Sequence, residues 1–375
     1  MKKKIPSENI DDLKFLLALS FIEDIGPVTT GRLLSAFHTP EAVFRAGLSE
    51  LSSVGKISES KAKRIKEFKA WDRIDREIKE AEHQNIRIVT LFDKEYPEPL
   101  SHLDNAPAIL YIKGDLSEDD RFALAMVGSR DMSDYGRRIA AELSYELACA
   151  GLTIVSGMAR GIDTVSHSGA LKAGGRSIAV LGCGLDVCYP AENKELMTAL
   201  SRSGCVMSEF PLGTPPLREN FPRRNRLISG LSLGVLVVEA TARSGSLITA
   251  RFALEQGKEI FAVPGNITSG NARGTNSLIK MGARPVQSAE DIIEELSPQI
   301  KGMLKVKDFS VPPSARLEIN DEEKAICNIL GSDSKHIDHI VRELKIPAAR
   351  LSGLLLGLEM KGIVRQTAGN NFSMV

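Results

Sequence analysis

The stretch FALAMVGSRDMSDYGRRIAAELSYELACAGLTIVS, residues 122–156, decides the fold. It begins with an apolar run, continues through a Gly-Ser-Arg turn and an amphipathic helical segment, and ends in a second, β-branched run. Two strands joined by a crossover helix form a βαβ unit, in which the strands lie parallel in one sheet. The stretch therefore predicts a parallel sheet with helices packed on its faces.

The same alternation recurs from residue 84 to residue 297. Further strand-like runs are SIAVLG before Cys183, CVMSE before Phe210, GVLVVEA ending at Ala240 and EIFAVPG ending at Gly265. Helical segments such as SLITARFALEQG lie between them. We therefore predict an α/β fold with an extended Rossmann-like parallel sheet over residues 84–297. Ligands of such sheets bind beyond the carboxyl ends of the strands.

The sequence before this region is helical in pattern, and residues 1–83 are predicted to form an N-terminal helical domain. Two short loops, IGPV at 25–28 and VGKI at 54–57, are each followed by a basic helical segment. This arrangement resembles a pair of helix-hairpin-helix units of the SAM-like kind, in which a glycine turn lets backbone N–H groups meet a DNA phosphate. A small helical bundle that only packs or mediates contacts is the alternative.

After the α/β region, residues 298–317 are predicted to be a linker that contains a Pro-Pro break at Pro312 and Pro313. Residues 318–375 show three helical segments and then RQTAGNNFSMV, which suits a β-wing. The pattern resembles a winged helix. Its candidate recognition helix is mostly apolar, with Arg350 as its main cation. The pattern is therefore as consistent with a module that contacts another protein as with one that binds the DNA major groove.

Composition excludes several classes of protein. The chain has 375 residues, of which 43% are hydrophobic and 26% charged, as in ordinary soluble domains. No apolar run approaches the roughly 20 residues that span a bilayer, and the N-terminus lacks a secretory signal pattern, so we expect a cytoplasmic protein without a membrane span. The five cysteines contain no CxxC pair, so neither a disulfide framework nor a zinc site is predicted.

Five loops at predicted strand ends contain related residues. They are GSR at 128–130, SGMARGID at 156–163, GCGLDVCYP at 182–190, FPRRNR at 221–226 and ATARSGSLITA at 240–250. Small residues at a strand-to-helix turn let a phosphate approach backbone N–H groups, and arginines can grip its oxygens. Although FPRRNR alone is also consistent with a solvated turn, the five loops together indicate a polyanion track or a nucleotide pocket.

Common nucleotide and catalytic motifs are absent from the sequence. It has no GxxxxGK[ST], and Val187 stands where a GxGxxG beginning at Gly182 needs its third glycine, so no dinucleotide cofactor is expected. Ser166 and His167 are neighbours in a helical segment and point about 100° apart, so they form no direct dyad. Asp163 and Asp186 suit either ribose or metal contacts or turn capping, and we adopt capping. No catalytic residue, metal or cofactor is predicted.

The motifs above, together with SEFP, FAVPGN and GTNSLI, occur in the order found in the DprA/Smf family of DNA-processing proteins. The chain resembles this family almost continuously over residues 84–297. The resemblance implies a non-enzymatic protein that binds single-stranded DNA, forms a homodimer and loads a RecA-type recombinase during natural transformation and recombination. Single-strand-binding protein, which would otherwise exclude the recombinase, is a further candidate partner.

The resemblance also implies a DNA-phosphate site. Its residues would be Gly128, Ser129, Arg130, Gly157, Arg160, Gly161, Lys194, Arg224, Asn225, Arg226, Ser244, Gly245, Ser246 and Lys258. We expect Arg224, Asn225 and Arg226 to face a strand-end pocket opposite Gly128–Arg130, and Arg223 to be a surface cation. Lys258 stands where relatives often have arginine. Because only 5% of residues are aromatic, grip should come mainly from phosphates and be sensitive to salt.

Two other functions are consistent with related folds. LOG-like nucleotide phosphoribohydrolases share the glycine loops, but they carry a PGGxGTxxE signature that this sequence lacks. The nearest glutamate, Glu239, precedes the glycine-serine loop instead of following it within a helix. A protein-contact scaffold without DNA binding is the third alternative.

Overall fold

The structure is a computed structural model that describes residues 10–300, 320–330, 334–360, 363–367 and 369–374. These residues fall into two compact units, Met1–Lys305 and Val306–Val375.

The first unit begins with short helices: α1 (Ile10–Phe21), α2 (Pro27–Phe37), α3 (Pro40–Arg45), α4 (Leu48–Ser53), α5 (Glu59–Lys66) and α6 (Trp71–His83). Local caps set their boundaries. Pro27 is the first residue of α2, where its missing N–H costs nothing, and the Thr39 hydroxyl accepts a hydrogen bond from the Ala42 N–H at the start of α3. The predicted helical character of this region is confirmed.

The sheet of the first unit has nine strands within the described residues. They are β1 (Arg87–Thr90), β2 (Ile109–Gly114), β3 (Ala123–Val127), β4 (Thr153–Ser156), β5 (Ser177–Leu181), β6 (Gly204–Ser208), β7 (Gly234–Val237), β8 (Glu259–Ala262) and β9 (Arg284–Pro285). Their order is β1-β2-β6-β5-β4-β3-β7-β8-β9. All pairs from β6 to β9 are parallel, which confirms the predicted α/β class.

One edge of the sheet is antiparallel. Strand β1 pairs antiparallel with β2, and β2 pairs antiparallel with β6. These strands precede the first crossover helix and therefore belong to no βαβ unit, so the sequence pattern that marked the other strands does not mark them. The two-residue strand β9 was too short to give an alternating pattern.

Helices cover both faces of the sheet. They are α7 (Glu98–Ser101), α8 (Asp134–Cys149), α9 (Ile162–Lys172), α10 (Lys194–Ser203), α11 (Asn220–Gly230), α12 (Ser246–Glu255), α13 (Arg273–Lys280) and α14 (Ala289–Ile300). Buried residues of β3, β5 and β7 pack on one side with Leu227 and Ile228 of α11, and α8 and α14 pack on the opposite side. The strands are therefore apolar on both faces, as parallel strands require.

The first 83 residues share a hydrophobic core with the sheet. Leu16 and Leu17 of α1 and Ile74 of α6 belong to the same buried cluster as Tyr111 of β2 and Leu181 of β5. The N-terminal helices consequently fall in one compact unit with the sheet, and residue 83 does not separate two units.

The second unit has the architecture of a winged helix. It contains α15 (Asp321–Leu330), β10 (Lys335–His336), α16 (Ile337–Leu344), α17 (Ala348–Met360), β11 (Val364–Thr367) and β12 (Asn371–Met374), and its sheet has the order β10-β12-β11. The three predicted helices and the wing are confirmed. Of the predicted linker, residues 298–300 lie within α14, with Pro298 inside that helix, and residues 301–317 lie outside the described residues. No helix in the described part of the chain is both long and apolar enough to cross a membrane.

Candidate nucleic-acid interface

The strand order reverses between β3 and β7, and a cavity opens at that point. From β3 the chain runs outward through β4, β5 and β6, and it then returns to add β7 on the other side of β3. The loops that follow β3 and β7 therefore diverge, which leaves a crevice at the carboxyl ends of these strands. This crevice, the GSR cavity, has a volume of about 760 Å³.

The GSR cavity brings together most of the predicted site. Residues that line it and were predicted are Gly128, Ser129, Arg130, Arg224, Asn225, Ser244, Gly245 and Ser246. The predicted residues Gly157, Arg160 and Gly161 belong to the loop after β4, which reaches the cavity through Ala159 and Asp163. All five predicted loops thus contribute lining residues, and the loop at 182–190 contributes Tyr189.

Arg224 lies beneath the cavity floor. Its side chain is only 3% exposed, and its guanidinium donates hydrogen bonds to the carbonyl oxygens of Gly157 at 2.7 Å and of Val180. Burial lowers its pKa to about 10, so it remains charged at neutral pH. Through its two carbonyl partners, the charged guanidinium of Arg224 holds the loop after β4 against β5. It also gives the floor of the cavity a positive potential.

The loop after β4 is shaped to make room for Arg224. A Cβ atom at Gly157 would lie 2.6 Å from the Arg224 guanidinium, so no larger residue fits there without displacing it. Gly161 has φ +81°, and a Cβ there would collide with the Ser129 carbonyl oxygen of the GSR loop. Asp163 closes the loop by accepting hydrogen bonds from the N–H groups of Gly157 at 3.1 Å and Ala159 at 3.3 Å. These glycines are required for close approach of neighbouring backbone.

Arg226 points away from the cavity, which corrects the prediction that it faces Gly128–Arg130. Residues two apart on an α-helix lie about 200° apart around its axis, so Arg224 and Arg226 cannot share one cavity. The Arg226 guanidinium instead forms a 2.5 Å ion pair with Glu209, and both side chains are buried. Burial raises the pKa of the Glu209 carboxyl, and the charge of Arg226 opposes that shift.

Two predicted lysines also lie outside the cavity. Lys258 immediately precedes β8, at the amino ends of the parallel strands and therefore at the sheet edge opposite the GSR cavity. Lys194 begins α10, is exposed and does not line the cavity. Sequence proximity to a glycine-rich loop does not specify the edge of the sheet on which a side chain lies.

Arg160 lies beside the cavity and has an acidic partner. Its guanidinium forms an exposed ion pair with Glu192, with side-chain nitrogen donors directed at both carboxylate oxygens. Exposed ion pairs contribute little stability, so Arg160 can leave Glu192 and pair with another anion at little cost in free energy.

The exposed cations of the cavity are Arg130 and Arg218. Arg218 was not predicted as a site residue, although it starts the cluster of arginines that runs to Arg226. It comes before α11, in the segment that connects β6 to this helix, and the position of that segment follows only from the folded topology. Arg223 is exposed, as predicted, and lies with its guanidinium 5.3 Å from the Phe210 ring centroid.

Two aromatic rings complete the GSR cavity. Tyr189 and Phe221 lie in tilted contact, with their ring centroids 5.6 Å apart and their planes at 44°, and the Arg130 guanidinium lies 5.1 Å from the centroid of Phe221. Both rings line the cavity, so it offers aromatic surface in addition to the groups expected to bind phosphates. Both residues stand in the loop motifs, but their contact depends on loops more than 30 positions apart in sequence.

The Ser244–Ser246 loop supplies neutral hydrogen-bonding groups to the cavity. The hydroxyls of Ser244 and Ser246 are 2.8 Å apart, and α12 starts at Ser246. Asn225 fixes the loop by donating from Nδ2 to the Gly245 carbonyl oxygen at 3.4 Å. A helix of this length with its N-terminus at a cavity adds positive potential there, which favours an anion.

Other polar groups near the cavity have structural partners. Asp186 accepts a hydrogen bond from the Gly213 N–H at 2.8 Å, so both Asp163 and Asp186 close loops as predicted. His167 is buried and bonds through Nδ1 to the Ser177 hydroxyl at 2.8 Å. Glu239 accepts hydrogen bonds from the N–H of Ser133 at 2.9 Å and from its hydroxyl. These contacts hold α8, α9 and the strands in place.

Comparison with protein families identifies all three regions of the sequence. Residues 87–297 match the family DNA recombination-mediator protein A, residues 310–370 match the DprA winged helix domain, and residues 15–68 match the SAM-like helix-hairpin-helix tandem. The last match confirms the helix-hairpin-helix resemblance of the N-terminal region over the simple-bundle alternative.

Individual relatives agree with the family match. The chain is 40% identical over 289 residues to protein Smf of Escherichia coli, covering 77% of each chain. It is 44% identical over 218 residues to the DNA processing protein DprA of Streptococcus pneumoniae, covering 57% of this chain and 76% of the relative.

Two solved structures are similar to this one. The X-ray structure of DprA from Streptococcus pneumoniae has a TM-score of 0.67 and 34% identity, and the match covers 75% of this chain and 97% of the other. The structure of DprA from Helicobacter pylori, described for its single-stranded DNA binding mode, has a TM-score of 0.52 and 29% identity, with 57% of this chain and 96% of the other covered.

Proposed function

Since the chain belongs to the DNA recombination-mediator protein A family, we propose that it binds single-stranded DNA in the GSR cavity and loads a RecA-type recombinase onto the bound strand. The proposal has two parts, strand binding and recombinase loading, and each has its own test. Its cellular setting would be the cytoplasm, during natural transformation and recombination.

The combination of exposed arginines with two aromatic rings in one cavity carries the strand-binding proposal. Single-strand binding combines cations that hold the backbone with rings on which unpaired bases stack. Arg130 and Arg218 supply the cations, and Tyr189 and Phe221 supply the rings. Bases in a duplex are already stacked and paired, so a ring recessed in a cavity of about 760 Å³ favours an unpaired strand.

Each group has a distinct role in the proposed complex. Arg130 and Arg218 are exposed and hold phosphate oxygens through charge-assisted hydrogen bonds. The Ser244–Ser246 loop and the start of α12 receive a phosphate through hydroxyl and backbone N–H donors. Arg224 stays buried and acts as a positioning residue, because it fixes the loop after β4 from below. No step of this mechanism breaks a covalent bond.

A homodimer would present two GSR cavities to one strand, and we include this assembly in the proposal. Binding at two sites joined in one particle raises the effective concentration of the second site, so a long strand would be held more tightly than a short one. A strand held at two points, with its bases partly withdrawn from single-strand-binding protein, is a substrate on which a recombinase filament could start.

The strand-binding part is tested with Arg130→Ala, Arg218→Ala and the control Arg202→Ala. Arg202 is exposed near the C-terminus of α10, at the opposite edge of the sheet. Affinity for an oligo-dT strand should fall about tenfold in each cavity variant, as expected for a charge-assisted hydrogen bond, and stay unchanged in the control. The slope of log affinity against log salt should flatten by about 0.7 per lost phosphate contact. Unchanged affinity in both cavity variants would overturn the site.

Recombinase loading is tested separately. On strands coated with single-strand-binding protein, the wild type should increase RecA filament formation, and Arg130→Ala should not. A wild type that binds strands but forms no additional filament would contradict the loading function alone. Release of free base from nucleoside monophosphates by the purified protein would instead support the phosphoribohydrolase alternative.

A further inference from the structure

A second cavity lies beside the GSR cavity at the same edge of the sheet. It has a volume of about 560 Å³ and opens between the start of α8 and the segments that follow β7 and β8. Tyr135 of α8 forms part of its wall, so we call it the Tyr135 cavity. The predicted site residues do not include any that line it.

The two cavities are separated by one hydrogen-bonded partition. The Asn271 side chain donates from Nδ2 to the Asp131 carbonyl oxygen at 3.0 Å, and the Asn271 carbonyl oxygen accepts from the Ala240 N–H at 2.8 Å. Asp131 lines the GSR cavity, whereas Ser133, two residues later, lines the Tyr135 cavity. Residues only two positions apart in the chain therefore line the two cavities, which makes them close enough to be considered as neighbouring subsites for one strand.

The lining of the Tyr135 cavity differs in charge from that of the GSR cavity. No lysine, arginine or histidine lines it, and Glu239 contributes a carboxylate that is held by Ser133. A phosphate would meet negative charge without a cation to offset it. The ligand that enters should therefore be uncharged.

The remaining lining groups suit a flat, polar-edged ring. Val238, Val263 and Ala272 provide apolar walls, and Ser133, Asn266 and Ser269 provide donors and acceptors around them. The Tyr135 side chain is 41% exposed, which leaves ring surface for stacking. Its hydroxyl donates to the Pro264 carbonyl oxygen at 3.2 Å and fixes the ring at the mouth of the cavity. Apolar walls, hydrogen-bonding groups and an aromatic ring are what a nucleobase requires.

The turn at the rim of the cavity presents an unusually exposed aliphatic side chain. Ile267 is 85% exposed, and its turn is fixed by a hydrogen bond from the Thr268 N–H to Asn266 Oδ1 at 3.0 Å. Ile267 directly follows Asn266, which lines the cavity, so its exposed side chain is an apolar group available near the entrance.

We propose that the Tyr135 cavity is a base subsite that receives an unpaired nucleobase next to the nucleotide held in the GSR cavity. The inference rests on the proposed single-strand binding and assigns it a second, phosphate-free contact. Tyr135 stacks on the base, and the polar groups of the cavity meet its edges. The strand thus crosses the Asp131–Asn271 partition between two successive nucleotides.

The direct test uses an oligo-dT strand with a single 5-iodouracil base, whose photochemical cross-links to aromatic side chains are mapped by mass spectrometry. Cross-links to Tyr135 are expected in addition to cross-links to Tyr189 or Phe221. A wild type that binds the strand but cross-links only at Tyr189 or Phe221 would overturn the base subsite and leave the GSR site intact. A wild type that does not bind single strands would overturn both.

Affinity measurements distinguish stacking of the Tyr135 ring on a base from the hydrogen bond of its hydroxyl to the loop at Pro264. Tyr135→Ala should weaken oligo-dT binding roughly tenfold, within the range found when an aromatic ring that stacks on a base is removed, whereas Tyr135→Phe should retain wild-type affinity. Tyr145→Ala, a change on the same helix outside the cavity, is the matched control and should bind as the wild type does. If Tyr135→Ala and Tyr145→Ala bind equally well, the inference is wrong. A loss in Tyr135→Phe equal to that in Tyr135→Ala would also overturn it, because the hydroxyl contact would then be the cause.

Discussion

Arg224 and Arg226 show how strongly a residue's function depends on its direction. They carry the same charge two positions apart, yet one supports the floor of the GSR cavity and the other neutralises a buried glutamate on a different side of α11. Neither guanidinium is exposed enough to be a simple surface grip. The exposed cations of the cavity are instead Arg130 and Arg218, and the proposed function assigns the DNA contacts to them.

At the residue scale, Gly157→Ala tests the support given by Arg224. The added Cβ would lie 2.6 Å from the guanidinium, so the arginine must move and its bonds to the Gly157 and Val180 carbonyl oxygens must weaken. We expect a loss of unfolding free energy of about 1–3 kcal/mol, measured by urea denaturation, and weaker binding of single strands. Gly55→Ala is the matched control, because Gly55 has open space around its Cβ and, like Gly157, does not adopt a positive φ.

If Gly157→Ala is no more destabilising than Gly55→Ala and binds strands normally, Arg224 is not a positioning residue.

His167 gives a prediction for pH dependence. The Ser177 hydroxyl donates to the Ile154 carbonyl oxygen, so its oxygen accepts the Nδ1 proton of His167, and Nε2 is left without a hydrogen-bond partner among the described residues. Burial, with a smaller contribution from the charge of Arg224, lowers the pKa of His167 to about 3.

As the pH is lowered, His167 takes up a proton near pH 6.5 in the unfolded chain but only near pH 3 in the folded chain. The unfolding free energy is therefore highest above pH 6.5 and decreases as the pH falls from 6.5 to about 3. The unfolding free energy of the wild type should fall by about 2 kcal/mol more than that of His167→Leu between pH 7.5 and pH 5. Denaturant titrations at each pH measure this difference, with the exposed His83→Gln as the control. Parallel pH profiles for the wild type and His167→Leu would show that His167 is not the group responsible.

At the scale of elements, α11 links the candidate site to the core. Its first turns carry Phe221 and Arg224 to the cavity, Arg226 pairs with Glu209 just beyond β6, and Leu227 and Ile228 pack into the core of the sheet. One helix thus connects cavity-lining residues, a buried ion pair and hydrophobic packing. Residues 221–226 were predicted as a loop at a strand end, whereas they form the first turns of α11, so the prediction did not separate these faces.

Arg226→Ala tests the ion pair that anchors α11. Removing one member leaves the Glu209 carboxylate buried without a counter-charge, so the unfolding free energy should fall by about 3–5 kcal/mol. Arg223→Ala, on the adjacent exposed residue, should change it by less than about 0.5 kcal/mol. Chemical denaturation of both variants measures the contrast. Comparable losses in the two would mean that the buried pair does not anchor the helix.

At the scale of the whole molecule, the N-terminal helices and the winged helix differ in their relation to the sheet. The helices before residue 84 complete a hydrophobic core with β2, β5 and β6, whereas Val306–Val375 forms a compact unit with its own core. Each of these two regions matches a sequence family of its own, but among the described residues only the N-terminal helices share a hydrophobic core with the sheet.

Truncation tests this difference. A fragment of residues 1–305 should unfold cooperatively and bind single strands, because it retains the core and the GSR cavity. A fragment of residues 84–305 exposes Tyr111, Ala179 and Leu181, so it should be markedly less stable or aggregate. Thermal unfolding followed by circular dichroism compares the two fragments. Equal midpoints would show that the shared core contributes little.

The sequence by itself determined the α/β class, the winged helix and the loops that form the candidate site. Each of these leaves a local signal: apolar runs alternate with helices, glycines and serines mark turns, and side chains at the ends of parallel strands must share one edge of the sheet. The family resemblance assigned Arg130, Asn225 and the Ser244–Ser246 loop to the site, and all of them line the GSR cavity.

Only the tertiary structure decided which charged side chains reach that cavity. The sequence does not specify the rotation of α11, which directs Arg226 to Glu209, or the sheet edge occupied by Lys258. It also does not specify the antiparallel edge formed by β1 and β2, the contact of Tyr189 with Phe221, or the separate Tyr135 cavity. These features arise from contacts between residues far apart in the chain, whose free energies depend on packing and burial and leave no periodic pattern in the sequence.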